Sequence, residues 1–298
     1  MHRAIAAWLT ERPWRAVFIT ALCGALLLHM LAPFAVLAGA VPVLAATRLT
    51  PRVGLGAALA GALPPLWMVL ALAGPSGWAV AGIGILCFAP LLLGLLRVST
   101  GSLNLCFQVA VLVSALLLGA VHLVLDDAAS VWIEPLRGML DSMETAGLSL
   151  TGDREALIAA WARTMWGALA GVTLAIVLGA LFLGRWWASL LDAPGRFGEE
   201  FRGLKLGRVL GTAVTVLFVM AWFVDATPVA SLAWVAAAAL AFQGLAAAHR
   251  SKAGGRLTRG WLAAIYVLLV VPLSTSITVF GLAIWGLLDN WLPPRKTN

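Results

Sequence analysis

Apolar residues along this chain come in long blocks. They neither alternate with polar residues nor recur at the spacing of a water-facing helix. The blocks cover residues 16–31, a shorter stretch to about residue 46 after Pro33, then 53–73, 78–96 and 103–125. After a polar section, one block ends at Leu183, and others cover 209–224 and 229–249. A last apolar run covers 261–288. About 20 apolar residues in a helix cross a hydrocarbon layer of about 30 Å. Membrane-spanning strands would alternate polar and apolar residues, which these blocks do not. The pattern predicts an all-α fold, a polytopic helical membrane bundle forming a single integral membrane domain over residues 1–298. The last run is too long for one upright span and too short for two. Either a tilted helix absorbs the excess, or Pro272 breaks it into two half-spans with Ser274–Ser276 at the break. The expected count is nine spans, with eight and ten as the alternatives.

Charge sets the orientation. With the N-terminus inside and one crossing per block, fifteen of the twenty Lys and Arg fall in inside segments. Residues 126–163, on the outside, hold seven acids and three Arg. Short basic loops stay cytoplasmic. The expectation is a protein of the bacterial inner membrane with a cytoplasmic N-terminus, an outer amphipathic segment at 126–163 and a cytoplasmic loop at 185–208. Trp186 and Trp187 then stand where an aromatic belt meets the headgroups.

Composition agrees: 62% of the residues are hydrophobic and 11% charged, against about 25% charged in a soluble domain. The net charge of +7 reflects basic cytoplasmic loops and not a nucleic-acid partner. Cys23, Cys87 and Cys106 all lie in apolar blocks, as buried thiols do. Arg3, Arg12 and Arg15 followed by an apolar run and "AGA" at 38–40 resemble a signal peptide. The length of that run, and the spans that follow at once, favour an uncleaved first span.

Two polar segments carry helical patterns. Phe197, Phe201 and Leu204 fall on one face of a helix over residues 196–208, with Glu199 and Arg202 able to pair on the wet face. The pattern fits an interfacial helix on the cytoplasmic leaflet, its Arg202 and Lys205 meeting anionic lipid. It equally fits a coupling helix that docks a partner. In the outer segment, Trp132, Leu136, Met139, Leu140 and Met143 line one side of a second helix. This helix would lie on the outer surface or lid the bundle. A third helix starts behind Asp153 as its N-cap and runs into the sixth span. Gly167, Gly171, Ala175 and Gly179 form a bare stripe along that span that lets a neighbouring helix approach closely. Intramolecular packing is the first explanation and a homo-oligomer the alternative. Gly54, Ala58 and Ala62 repeat the arrangement in the third span.

Ionisable groups within the membrane are functional candidates. His122 and Asp126 share a helical face near the outer interface and form a candidate substrate-binding site, with Gln108 a weaker member. Asn104 and Gln243 serve equally well as hydrogen bonds between helices. The chain has no phosphate-cradling GxxxxGK[ST], no HExxH and no GxSxG. No catalytic residues, metal ligands or cofactors are assigned, and an enzyme is not expected. Transport driven by ATP would need a separate ATPase chain.

The stretch "GRWWASLLDAPGRFGEEFRGLKLG" resembles the loop after a central span in YybS-like bacterial membrane proteins, a domain-of-unknown-function family. "WLAAIYVLLVV" (261–271) and "GLLDNWLPPR" (286–295) resemble that family's closing pattern. Pro293 and Pro294 depart from it, standing where an acid and an apolar residue are expected. The resemblance implies a multi-pass inner-membrane protein distantly like the substrate-binding subunits of energy-coupling-factor transporters. Those bind vitamins or metal ions and rely on separate ATPase and coupling subunits. The resemblance carries over no binding residues. The function expected is a small-molecule-binding or transport subunit in the lipid bilayer. The alternative is a non-enzymatic scaffold that docks envelope or division proteins through its cytoplasmic loop.

Overall fold

Residues 1–29, 31–74, 76–148 and 152–291 are described by the computed structural model of the chain. The tail bearing Pro293, Pro294, Arg295 and Lys296 lies outside the described residues. Among the described residues there are thirteen helices and no strand. In chain order they are α1 (His2–Glu11), α2 (Pro13–Leu26), α3 (Leu31–Arg48), α4 (Pro51–Ala73), α5 (Gly77–Thr100), α6 (Leu103–Val124) and α7 (Ser130–Thr145). Then follow α8 (Arg154–Asp192), α9 (Arg196–Arg202), α10 (Gly207–Met220), α11 (Thr227–Ala253), α12 (Arg259–Val270) and α13 (Pro272–Trp291).

Local chemistry sets the boundaries. The Thr50 hydroxyl accepts the Val53 amide at 3.3 Å and opens α4, with Pro51 in its first turn. Gly101 takes φ 72° and closes α5, a backbone region that a residue without Cβ enters at little cost. Asp153 caps α8 as the sequence predicts: its Oδ1 accepts the Glu155 and Ala156 amides at 3.0 and 3.3 Å.

Among the described residues, six helices are long and apolar enough to cross a membrane: α4, α5, α6, α8, α11 and α13. The α9–α10 pair makes a seventh if its 58° bend is counted within one span. The expectation of nine assigned a crossing to every apolar block. However, the helices of the first two blocks, α2 and α3, are among the shorter apolar ones. So is α12, whose run keeps one long helix in α13. Helices α2 and α12 hold 14 and 12 residues, about 21 and 18 Å of helix. In the last run α12 stops where Pro272 supplies no amide hydrogen, so the run divides at that proline. In contrast, α8 has 39 residues, about 58 Å, and continues well past a hydrocarbon core. Residues 184–192, the opening of the expected cytoplasmic loop, are its last turns. Large exposed side chains such as Trp67, Leu116, Phe223 and Leu273 cover the helix exteriors, a surface that soluble monomers rarely carry. The chain is a helical membrane protein.

The chain divides into two compact units, Met1–Ala110 with Ala175–Leu204, and Val111–Leu174 with Lys205–Asn298. In the first unit, helix backbones touch. A Cβ on Gly24 of α2 would lie 2.0 Å from the Gly61 carbonyl oxygen of α4. One on Gly184 of α8 would lie 2.6 Å from that of Ala40 in α3. In lipid, where apolar burial does not drive helices together, such close approach supplies the dispersion contacts that hold them. Gly54 meets Ala46 of α3 in the same way, with Ala58 and Ala62 buried behind it. The amphipathic α1 lays Ala6 and Leu9 on a core of Ala40, Val41, Leu44, Trp187 and Ala188. Trp187 is therefore buried in protein and not set among headgroups, because α1 covers it. Trp186 lies against the His2 ring, centroids 5.0 Å apart.

In the second unit, α7 pairs with the start of α8 as a helical hairpin. Leu136 and Leu140 bury against Ile158 and Ala162, with Trp132 and Met143 packed around them, while Met139 stays exposed. The apolar stripe of α7 thus meets its neighbour in sequence. Gly167 and Gly171 face α11, where a Cβ would come within 2.4 Å of the Ser231 carbonyl oxygen and 3.2 Å of that of Trp234. Gly179, in the first unit, faces Val36 of α3 at 3.6 Å, and Ala175 is half-buried. The stripe therefore packs within the chain.

Candidate functional site

The first unit holds a knot of charge around Glu200 of α9. Arg185 of α8 donates to it twice, Nε to Oε2 at 3.0 Å and Nη2 to Oε1 at 2.8 Å. Arg97, in the last turn of α5, donates to Oε1 as well. Arg196 approaches the same oxygen at 3.5 Å. The Arg185 side chain is 8% exposed and that of Glu200 15%. Two parallel bonds from one guanidinium give the geometry of a strong carboxylate pair. Burial works against ionisation of Glu200. The hydrogen bonds and charge of Arg185, then of Arg97, outweigh it and hold the carboxyl below its ordinary value.

The second unit has its own polar cluster around Gln243 of α11, which is fully buried. Its Oε1 accepts the Leu206 amide at 2.9 Å, and its Nε2 donates to the Gly286 carbonyl at 3.2 Å and Asn290 Oδ1 at 3.3 Å. Asn290 returns a bond to the Gly207 carbonyl at 3.3 Å. The amide at the start of α10, which no helix carbonyl can satisfy, thus finds a side-chain partner. Beside this cluster Arg250 pairs with Asp289, and His249 Nε2 lies 2.8 Å from the Tyr266 hydroxyl.

On the α7–α8 hairpin, a groove of about 380 Å³ is lined by Leu140, Leu157, Glu144, Asp153 and Arg154. Arg154 pairs with Asp141 and sits 3.7 Å from Glu144, and Arg137 reaches Glu155 at 2.9 Å. At the base of this region the Trp166 indole donates to the Ala128 carbonyl at 2.8 Å. Asp127 caps the turn before α7 by accepting the Ala129 and Ser130 amides at 3.0 and 3.3 Å. Arg163 pairs with Asp225. That hydrogen bond, then the charge, lowers the Asp225 pKa.

Of the residues expected to bind substrate, Gln108 belongs to the first unit and His122 and Asp126 to the second. His122 is half-buried in the last turn of α6, its Nε2 without a partner among the described residues. Asp126 is exposed beyond the helix end. Within α6, fourteen residues separate Gln108 from His122, about 21 Å of helix. Gln108 already has an interaction partner. Two of the residues expected to dock lipid or a partner face the protein interior. Phe201 and Leu204 are buried. Phe201 packs edge-on against Phe182 of α8 at 5.4 Å, and Phe197 lies 6.3 Å from the same ring. The amphipathic pattern marked a buried face but not what covers it, and α8 of the same unit supplies the cover. Arg202 and Lys205 are half-buried and each has an interaction partner.

Sequence reading missed the Glu200 knot. It paired Glu199 with Arg202 inside the loop, whereas Glu200 finds Arg97 across 103 positions. The only trace in sequence is a lone Arg97 and a lone Arg185 at the ends of apolar blocks. Of the two roles open to Gln243 in the sequence, the structure shows hydrogen bonds between helices. The three cysteines are buried and free, and among the described residues no three His, Cys, Asp or Glu gather as a metal site. Comparison with models of known protein families, with curated proteins and with solved structures finds no match.

Proposed function

We propose that the chain is a multi-pass protein of the bacterial inner membrane, related to YybS-like proteins, that binds a small solute for transport and relies on a separate ATPase. The observation that carries this reading is the groove between α7 and the start of α8. Its volume of about 380 Å³ falls in the range of small-molecule sites, about 300–1,000 Å³. It joins apolar walls (Leu140, Leu157) to charged groups (Glu144, Arg154), a combination that gives a ligand both burial and orientation.

The ion pairs support the sidedness. Arg48 with Asp192, and Arg97 and Arg185 with Glu200, join residues that the positive-inside rule assigns to the cytoplasm. Arg163 with Asp225 joins two residues that it assigns to the outside. Arg250 with Asp289 brings the end of α13 to the side of the basic loop after α11.

The second reading is a scaffold without enzymatic activity. It is favoured by the buried Gln243 cluster, whose groups satisfy one another and offer little to a solute. The test is mass spectrometry of small molecules that co-purify with the protein, with Ala160→Trp, at an exposed position lining the groove, as the variant that fills it. A solute retained by the natural chain and lost from the variant supports the transport reading. Absence of any retained solute, together with failure to capture an ATPase chain, overturns it in favour of the scaffold.

A further inference from the structure

The geometry points to a phosphate-binding site at the Glu200 knot, formed by Arg97, Arg185 and Arg196. This assignment stands apart from the solute reading above and uses none of the groove residues. Three guanidiniums converge on one carboxylate, so the cluster carries two positive charges that Glu200 does not balance. The same imbalance appears in the hydrogen bonds. Arg97, Arg185 and Arg196 all address a single oxygen, Oε1, which has two lone pairs. Arg97 Nε is buried and has no acceptor among the described residues. A buried donor without an acceptor is costly, and so is the one surplus charge that the two buried arginines, Arg97 and Arg185, leave after Glu200. The site therefore has excess cation and excess donors together, while Oε1 of its one anion is crowded and Oε2 accepts one bond.

A phosphate group supplies what is missing. It brings negative charge and several acceptor oxygens to guanidiniums, which match it geometrically. The arrangement also provides an entrance. Arg185 is the buried floor, Arg97 the partly buried wall, and the Arg196 side chain is 62% exposed at the rim. On a cytoplasmic membrane face such a group has two sources with the same chemistry: the headgroup of an anionic phospholipid and free phosphate. Glu199, the acid beside Glu200, is exposed and does not neutralise the buried arginines.

The experiment uses the full chain purified in neutral detergent. Native mass spectrometry reads bound phosphatidylglycerol against phosphatidylcholine, and a parallel melting series reads inorganic phosphate at millimolar concentration. The natural chain is expected to retain phosphatidylglycerol in preference to phosphatidylcholine, or to gain thermal stability from inorganic phosphate. The first result identifies a lipid headgroup as the source, the second a free anion. Arg196→Gln, at an exposed position, is expected to fold and to weaken that binding about tenfold, the loss of one charge-assisted bond. Glu200→Gln removes the competing anion and is expected to tighten it. Equal binding by the natural chain, Arg196→Gln and Arg97→Gln overturns the assignment. So does indifference to both lipid charge and phosphate.

Discussion

Gly244 of α11 and Gly286 of α13 meet backbone to backbone. A Cβ on Gly244 would lie 3.1 Å from the Gly286 nitrogen and 1.9 Å from the Leu282 carbonyl oxygen. One on Gly286 would lie 2.0 Å from the carbonyl oxygen of Leu240. The obstacle in each case is main chain, which cannot rotate aside as a side chain can. Gly244→Ala and Gly286→Ala are each expected to destabilise the protein by about 3 kcal/mol or more, at the upper end of overpacking costs. Gly281, on the same helix α13, has nothing within 4 Å of its Cβ position. Gly281→Ala is expected to be neutral or to stabilise by up to about 1 kcal/mol through helix propensity. Thermal melts in detergent compare the three; equal effects would mean that the close contact is not what holds α11 to α13.

Glu200 links stability to pH with a definite sign. A carboxyl whose pKa is lowered in the fold binds its proton more weakly there than in the unfolded chain. Its contribution is complete above the ordinary value near 4.5 and is lost as pH falls through the lowered folded value. Glu200→Gln leaves three arginines without their anion, which is expected to cost about 3–5 kcal/mol at pH 7. The gap between the natural chain and the variant should narrow as pH falls below 4.5. A gap that stays constant down to strong acid would show that Glu200 acts by shape and not by charge.

How much of this was visible beforehand differs by type of contact. The helical membrane class followed from block length and the start of α8 from Asp153, while Pro272 offered the break in the last run as one of two alternatives. Those signals are local, because a cap or a proline acts within four residues of itself. The stripe of Gly167 and Gly171 was visible as a bare face, but not that α11 fills it. The partner of α9 was invisible for the same reason: Phe197 and Phe201 announce a buried side and say nothing of Phe182. Apolar composition outran helix length in α2 and α3, the first two blocks, which are shorter apolar helices. The charged groove on the α7–α8 hairpin and the Glu200 knot depend on pairings across many positions, which a single sequence does not encode locally.

Gln243 is expected to matter through what it satisfies. Gln243→Leu has similar bulk and is apolar, but it leaves the Leu206 amide at the entry to α10 without its 2.9 Å acceptor. An unsatisfied buried amide costs about 1–3 kcal/mol. The variant should melt lower than the natural chain by that amount, and hydrogen exchange should quicken first at the start of α10. Gln243→Glu keeps the acceptor and loses the donor to Gly286 and Asn290, so it should protect the α10 entry while loosening the end of α13. If both variants loosened the same segment, the two halves of the amide would not have the separate roles that the geometry gives them.

The sidedness can be read with single cysteines, because the three natural thiols are buried and give little background. Ser142 on α7 and Lys252 at the end of α11 are both useful positions. Ser142 is exposed and bonds only its own helix, at the Gly138 carbonyl; Lys252 is exposed as well. In intact spheroplasts a membrane-impermeant maleimide is expected to label Ser142→Cys and to spare Lys252→Cys until the membrane is opened. The opposite pattern would invert the protein in the bilayer. The hairpin groove would then face the cytoplasm, out of reach of an incoming solute. The Glu200 knot would face away from the leaflet where anionic headgroups and cellular phosphate are concentrated. Labelling of both positions from outside would instead require an even number of crossings between α7 and the end of α11. That would mean that α9 and α10 together do not span, leaving α8 and α11 as the only crossings in that interval. One pair of cysteines therefore tests the orientation and the reading of the 58° bend separately.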